Sequence, residues 1–290
     1  MAITAALVKE LRERTGAGMM DCKKMLTETG GDMDAAIEEL RKKGAAAAEK
    51  KAGRIAAEGV IASANSGNQG VLVEVNCETD FVAKDTSFTN FSNEVAEAAL
   101  AGGFSDVENL AAAQLANGSS VAEALQELTT KIGEKISLRR ISSLGGDSSI
   151  VSTYLHGNRI GVMVQLGGGD DTLGRDLAMH IAASRPLCVS EDEMDADVLE
   201  KEKQIFMAQA AESGKPADII EKMIGGRMKK FLKENTLLGQ PFVKNPDQTV
   251  ADLLKSKGAR VEKMIRFEVG EGMEKRSDDF VAEVMAQAGN

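Results

Sequence analysis

The amino-acid sequence predicts an α+β protein, in which short strand hairpins and groups of helices alternate along the chain. Residues 59–75 and 149–166 each contain two apolar-rich segments on either side of a Gly-containing turn, which is the pattern of a β-hairpin. Helical periodicity dominates the start of the chain and the region after Pro186. Hairpins with helices grouped around them favour α+β over a doubly wound parallel sheet.

The first element is a module of three short helices within residues 3–43. Thr15 to Gly18 ends the first helix, Gly30-Gly31 ends the second, and the third is expected to end near Gly44. The Ala- and Lys-rich residues 44–59 are predicted to form a helical linker. We therefore assign residues 1–54 to a three-helix module and its linker.

The middle of the chain contains a possible internal repeat. Each hairpin precedes a predicted helix, at about 88–101 after the first hairpin and about 173–184 after the second. Helical stretches near 106–115 and 119–133 and a strand at 136–143 lie between the two copies. In the first hairpin, Val71, Val73 and Val75 alternate with Leu72, Glu74 and Asn76, which predicts a strand with one face in the core.

The apolar spacing of the residues after Pro186 predicts an antiparallel helical hairpin that projects from the core. Ser190 to Glu193 have capping-box spacing ahead of a long polar helix that extends to about Ser213. A second helix follows, and its apolar residues form one stripe: Ile220, Met223, Ile224, Met228 and Phe231. The chain then returns through a helix at 249–257 and a strand at 263–270, and a last helix ends it.

Composition and charge exclude several classes of function. The 290 residues carry a formal charge of −10, and 3% of them are aromatic, which disfavours direct binding to nucleic acid. We find no secretory signal and no run of about 18 apolar residues. Cys22, Cys77 and Cys188 are far apart, as expected of reduced thiols. These features predict a soluble cytoplasmic protein that has no membrane partner.

We find no pattern that predicts a cofactor, a metal site or an enzyme. No segment fits the Gly-x-x-x-x-Gly-Lys-Ser/Thr phosphate loop. His156 and His180 are not at metal-ligand spacing from a cysteine or from each other. His180 lies in an apolar run and is expected to be a packed helix residue, whereas His156 opens a tight turn. No nucleophile with a positioned base is evident.

Phe81 is the least expected residue, because it follows Glu78, Thr79 and Asp80 where a turn should meet water. It could anchor the start of a helix capped by Thr79 or Asp80. Alternatively, it could protrude and insert into a partner protein, as aromatic residues at interface hot spots do. Met19 and Met20, beside the "TGAG" turn, present the same choice between core and contact surface.

Two long motifs carry a resemblance to a known family. The segments "LRERTGAGMMDCKKML" (11–26) and "EVNCETDFVAKD" (74–85) resemble the two signatures of the elongation factor Ts family. Supporting segments include "KIGEKISLRR" and "LHGNRIGV". Members of this family are guanine-nucleotide exchange factors for elongation factor Tu, and the resemblance covers the whole chain.

The resemblance implies an architecture and a set of contact residues. It implies an N-terminal module similar to ubiquitin-associated domains, two related core subdomains (55–145, and 146–186 with 233–265), a hairpin for self-association (187–232) and a C-terminal module (266–290) that also touches the GTPase. Thr79, Asp80, Phe81 and Val82 would disturb the magnesium site of elongation factor Tu. The other expected contacts with this partner are Arg12, Met19, Met20, Lys23, Ile132, Gly133 and His156.

Two other classes of function remain open at this level. A ubiquitin-like adaptor would use only residues 1–45 and would leave the "CETDF" turn without a purpose. A small-molecule enzyme would need a cleft with titratable groups, for which Cys77 and Glu78 are the sole local candidates.

Overall fold

The computed structural model describes residues 3–146, 149–211 and 216–274, and it mixes helices with sheets as predicted. The helices are α1 (Ala5–Thr15), α2 (Met19–Glu28), α3 (Met33–Lys51), α4 (Asp80–Ala83), α5 (Thr86–Gly102), α6 (Val107–Ala112), α7 (Val121–Ile132), α8 (Asp171–Ser184), α9 (Ala196–Ala211), α10 (Ala217–Asn235) and α11 (Val250–Ser256). The strands are β1 (Glu58–Asn65), β2 (Gln69–Cys77), β3 (Ser137–Gly145), β4 (Ile150–His156), β5 (Ile160–Gly167), β6 (Pro241–Phe242), β7 (Asn245–Thr249) and β8 (Arg260–Glu268).

Helices α1, α2 and α3 pack around a small core of their own, which includes Leu11, Met25 and Leu26. The prediction that the third helix ends near Gly44 is wrong, because α3 continues to Lys51. A Cβ atom at position 44 would lie 2.7 Å from the Oγ1 atom of Thr130 on α7. Gly44 therefore allows α7 to approach α3 closely and does not end the helix.

The first sheet has the strand order β1-β2-β3. The prediction that β2 has one core face is wrong, because Gly70 through Cys77 are all buried, including Glu74 and Asn76. The strand extends to Cys77, directly before the turn residues Glu78, Thr79 and Asp80. Alternating polar residues on β2 therefore line a second buried face.

Glu74 is fully buried, and its carboxylate is satisfied by several donors. Arg139 donates to Oε1 at 2.9 Å, Arg140 donates to Oε2 at 2.5 Å, and the backbone N–H of Gly270 donates to Oε1 at 2.8 Å. Burial by itself would raise the pKa of Glu74, but these hydrogen bonds outweigh it and the pKa is lowered. Glu74 thus joins β2 to β3 and to the segment that follows β8.

The second sheet has the order β4-β5-β8, and α8 packs on β4 and β5. Strand β4 pairs antiparallel with β5, and positive φ angles at Gly157 and Asn158 form the turn between them. In both sheets the third strand lies beside the second strand of the hairpin, although β6 and β7 intervene in the second case, and the predicted internal repeat stays a prediction. Strands β6 and β7 form a small sheet that the sequence did not predict.

His180 on α8 is fully buried, so its prediction as a packed helix residue is confirmed. The backbone N–H of Val243 donates to His180 Nδ1 at 3.1 Å. The proton must then sit on Nε2, which lies 2.9 Å from the Oε1 atom of Gln240. Burial lowers the pKa of His180 despite the hydrogen bond to Gln240.

Helices α9 and α10 pack on each other as a helical pair. The predicted capping box at Ser190 to Glu193 is wrong, because these residues precede or form a short 3₁₀ turn at Glu191–Glu193. The first N–H groups of α9 are instead bonded by the Asp195 carboxylate. The apolar stripe of α10 is half-buried, and Met207 on α9 is exposed.

The chain divides into two compact units. Among the described residues, one comprises 3–62, Val73–Ile141 and 268–274, and the other comprises Ser63–Leu72 and the described part of 142–267. The predicted domain boundaries stay predictions. The predicted last helix lies outside the described residues, as does most of the C-terminal module at 266–290 and the predicted helix end at Ser213.

Candidate protein-docking site

Phe81 protrudes from the one-turn helix α4, which follows β2 directly. Its side chain is 82% exposed, the highest value among the exposed large hydrophobic residues of the described chain. Thr79 is the N-cap of α4, since its Oγ1 atom accepts a hydrogen bond from the Val82 N–H at 3.4 Å. The interpretation of Phe81 as a core anchor is therefore wrong.

Asp80 is the first residue of α4 and not its cap. Its carboxylate pairs with Lys84 at 2.7 Å on the exposed side of the turn. An exposed ion pair of this kind contributes little to stability, because water and salt screen it. Of the two capping residues proposed from the sequence, the structure selects Thr79.

The turn that carries Phe81 is fixed by Glu134, which lies just after the end of α7. The Glu134 Oε2 atom accepts hydrogen bonds from the backbone N–H groups of Glu78 at 3.1 Å and Thr79 at 3.0 Å. The Thr79 hydroxyl donates to Oε1 at 2.7 Å. A single carboxylate therefore receives three hydrogen bonds from two consecutive residues.

Glu78 makes the reciprocal connection. Its Oε1 atom accepts a hydrogen bond from the backbone N–H of Lys135 at 2.6 Å, and Arg54 donates to the same carboxylate at 3.1 Å. We call Glu78 and Glu134, with these hydrogen bonds, the carboxylate clasp. It joins the start of α4 to the residues that follow α7.

The clasp also places two groups of predicted contact residues on connected segments. Gly133 ends α7 with a φ of 86°, and no atom lies within 4 Å of the position that its Cβ would occupy. Ile132 is half-buried and Gly133 is exposed. Because Glu134 is the next residue, the clasp connects Ile132 and Gly133 to the turn at Thr79.

Cys77 offers no reactive thiol beside this turn. Its Sγ atom donates to the carbonyl oxygen of Thr79 at 3.2 Å, and its side chain is buried. Burial, with the negative charge of Glu134 nearby, raises the pKa of Cys77 to about 12. The thiol is therefore protonated near neutral pH, and the Cys77–Glu78 pair does not provide a nucleophile.

The three-helix module presents a second group of predicted contact residues. Met19 and Met20, the first two residues of α2, are 56% and 75% exposed. Arg12 on α1 and Lys23 on α2 are also exposed. Their neighbours Cys22, Met25 and Leu26 fill the core of the module, so the exposed methionines are surplus to its packing.

The remaining predicted contact, His156, belongs to the other compact unit. It is exposed at the end of β4, where its Nδ1 atom lies 3.2 Å from the Tyr154 hydroxyl. The roles assigned to all of these residues stay predictions, as does the use of the α9–α10 pair for self-association.

No sequence motif pairs Glu78 with Glu134. They are 56 positions apart, and nothing in the local pattern of either segment indicates that they meet. The available signal was weak: Glu134 directly follows a glycine that ends a helix, within the segment "KIGEKISLRR".

Within residues 3–146, 149–211 and 216–274, no group of three or more His, Cys, Asp or Glu side chains could hold a metal ion. None of the helices described there has the length and apolar character needed to cross a bilayer.

Comparison with known proteins gives one consistent result. Residues 78–271 match the family model described as Elongation factor TS. The proteins named elongation factor Ts from Alkalilimnicola ehrlichii, Thioalkalivibrio sulfidiphilus and Methylococcus capsulatus are 60%, 58% and 57% identical to this chain. In each case the similarity covers 99% of this chain and 99% of the relative.

Proposed function

This chain belongs to the elongation factor Ts family and is a translation elongation factor, and we propose that it acts as the guanine-nucleotide exchange factor of elongation factor Tu. The observation that carries the proposal is Phe81, a large aromatic side chain that is 82% exposed on a turn held by partly buried hydrogen bonds to Glu134. An apolar side chain so exposed is suited to a pocket on another protein.

The proposed exchange requires no covalent chemistry by this chain. GDP is held in a GTPase by a phosphate loop and by Mg²⁺, which is among the largest local charges in such a site. An exchange factor must bind the nucleotide-free GTPase more tightly than the GDP-bound form, and this difference in affinity drives release. We accordingly propose that the protein is not an enzyme and needs no cofactor.

The turn at Thr79–Val82 supplies one part of that difference. Insertion of Phe81 into an apolar pocket would shift the segments that hold the Mg²⁺ ligands of elongation factor Tu. Burial of one Phe side chain contributes roughly 1.5–3 kcal/mol, which corresponds to about one to two decades in an equilibrium constant. An acceleration of GDP release beyond about two decades therefore cannot come from Phe81 alone, and other contacts must contribute.

The exposed residues of the three-helix module provide such contacts. We propose that Met19 and Met20 pack against the nucleotide-binding domain of elongation factor Tu, and that Arg12 and Lys23 add charge contacts at the edge. Methionine suits this role because its unbranched side chain adapts to an irregular surface. Ile132, Gly133, His156 and the C-terminal module are proposed as further contacts with the same partner.

We also propose self-association through the α9–α10 pair, in a protein that works in the cytoplasm. An open groove between these helices is lined by apolar residues, among them Met207, Ile220, Ile224 and Met228. An apolar surface of this kind favours contact with another apolar surface. Sedimentation of the full chain and of a chain that lacks residues 187–232 would test this role.

The decisive experiment is the release of labelled GDP from elongation factor Tu at fixed Mg²⁺. Substoichiometric amounts of this protein should accelerate release, because an exchange factor leaves the GTPase once nucleotide rebinds. When the experiment is repeated at higher fixed concentrations of free Mg²⁺, the acceleration should be smaller. If the release rate is the same with and without this protein, the proposed function is wrong.

A further inference from the structure

Helix α4 has four residues, too few to be stable on its own. Its position must therefore be fixed by contacts outside the helix. Residues 78 and 79 provide them, since their backbone N–H groups and the Thr79 hydroxyl all donate to the Glu134 carboxylate. The Thr79 hydroxyl also accepts from the Val82 N–H, so the hydrogen-bond chain passes from Glu134 through Thr79 into α4.

The fixed position of Phe81 does not bury its side chain within its own protein. The side chain is exposed, so a fixed position for it adds no burial within this chain. A fixed position does lower the entropy that must be lost when Phe81 enters a pocket on a partner. The positions of Ile132 and Gly133 are restricted in the same way, because Glu134 follows them in the chain and Glu78 accepts a hydrogen bond from the N–H of Lys135. Their loss of entropy on binding a partner is therefore also smaller.

We infer that the carboxylate clasp of Glu134 and Glu78 holds the Thr79–Val82 turn and the end of α7 as one preorganised docking surface, and that Glu134 is a positioning residue for nucleotide exchange. This inference rests on the proposed function. It assigns to Glu134 no direct contact with the partner or with nucleotide, because its carboxylate is occupied by donors from its own chain.

Glu134→Ala and Glu134→Gln test the inference in graded steps. Alanine removes the acceptor for all three donors. Glutamine keeps one oxygen, which can still accept from the two backbone N–H groups as Oε2 does, but its amide cannot accept from the Thr79 hydroxyl. Glu97→Ala is the matched control, because Glu97 is an exposed glutamate on α5 and has no part in the clasp.

The assay measures release of labelled GDP from elongation factor Tu as each variant is titrated. Glu134→Ala should lower the saturating release rate about fivefold or more, and Glu134→Gln about twofold to threefold, since hydrogen bonds to a charged acceptor are lost. The half-saturating concentration should change less than the rate, because the three-helix module is intact. Glu97→Ala should match the wild type.

The same substitutions in a Phe81→Ala background separate positioning from general stability. If Glu134 acts partly through Phe81, adding Glu134→Ala to Phe81→Ala should lower the release rate by a clearly smaller factor than adding it to the wild type, because interacting residues are not additive. Thermal unfolding of every variant provides the folded fraction for correction.

With a wild-type protein that accelerates release, any of three outcomes would overturn the inference. One is normal release by Glu134→Ala and Glu134→Gln after correction for folded fraction, which would make the clasp a purely structural feature. Another is an equal loss in both backgrounds, which would separate Glu134 from Phe81. Should Glu134→Ala fail to fold, normal release by Glu134→Gln alone refutes the inference. No acceleration by the wild-type protein would instead refute the proposed function and the inference with it.

Discussion

Replacement of Phe81 by alanine separates insertion into a partner from a role in the core. The Phe81 side chain is 82% exposed, so its removal leaves no cavity in this protein and should change its unfolding midpoint little. In the proposed complex the same substitution removes the burial of one aromatic side chain. That loss is roughly 1.5–3 kcal/mol, and stimulated GDP release should fall about tenfold or more.

Phe88 on α5 provides the matched control. It is the same residue type seven positions later, but it is fully buried. Phe88→Ala should therefore cost ~3–5 kcal/mol of folding stability, a large share of the roughly 5–15 kcal/mol of a typical domain. Its effect on exchange should disappear once the rate is corrected for the folded fraction.

The assay is paired for each variant: a thermal unfolding midpoint and GDP release from elongation factor Tu at fixed Mg²⁺. Asp80→Ala should lower release less than Phe81→Ala, because Asp80 pairs with Lys84 and Thr79 caps the helix. If Phe81→Ala unfolds much earlier but exchanges normally after correction, Phe81 supports the fold and the insertion argument is refuted.

Three further predictions concern other parts of the chain. Met20→Ala should weaken association with elongation factor Tu at an unchanged unfolding midpoint, whereas Met25→Ala, in the module core, should lower the midpoint. If wild type and Met20→Ala bind elongation factor Tu with equal affinity, docking through this residue is refuted. Glu74→Gln should destabilise the protein by ~3–5 kcal/mol, measured by denaturant unfolding, because two arginines lose their buried anion. Because the pKa of His180 is lowered in the folded state, the folded protein binds fewer protons than the unfolded chain. The stabilising contribution of neutral His180 is therefore complete above about pH 6.5 and is lost as the pH falls. Unfolding midpoints that are the same for wild type and His180→Gln from pH 5 to 8 would contradict this pH dependence.

Local sequence patterns were sufficient where a structure is formed by neighbouring residues. Both hairpins were predicted because their turns carry Gly or Asn at positions of positive φ, as at Gly157 and Asn158. The helices of the first module followed from apolar spacing and from their glycine ends. The same reasoning failed at Gly44, where the local pattern predicted a helix end and the helix continues because α7 packs against that glycine.

The candidate site shows the same division. The sequence by itself determined that Phe81 was an unusual residue for a turn, and it carried the family signatures around it. The sequence could not decide whether Phe81 anchors the helix in its own core or inserts into a partner protein, because both roles place an aromatic residue beside a helix start. The exposure of Phe81 decided this only in the folded chain.

Only the tertiary structure decided the partners of the charged residues in the interior. Glu74 alternates with valines and had the pattern of a solvent-facing strand residue, but arginines 65 and 66 positions later make its burial possible. Glu134 reaches Glu78 and Thr79 over similar separations. Local sequence sets backbone conformation because neighbouring residues always meet, whereas the neutralisation of a buried charge depends on which distant segments the packing brings together.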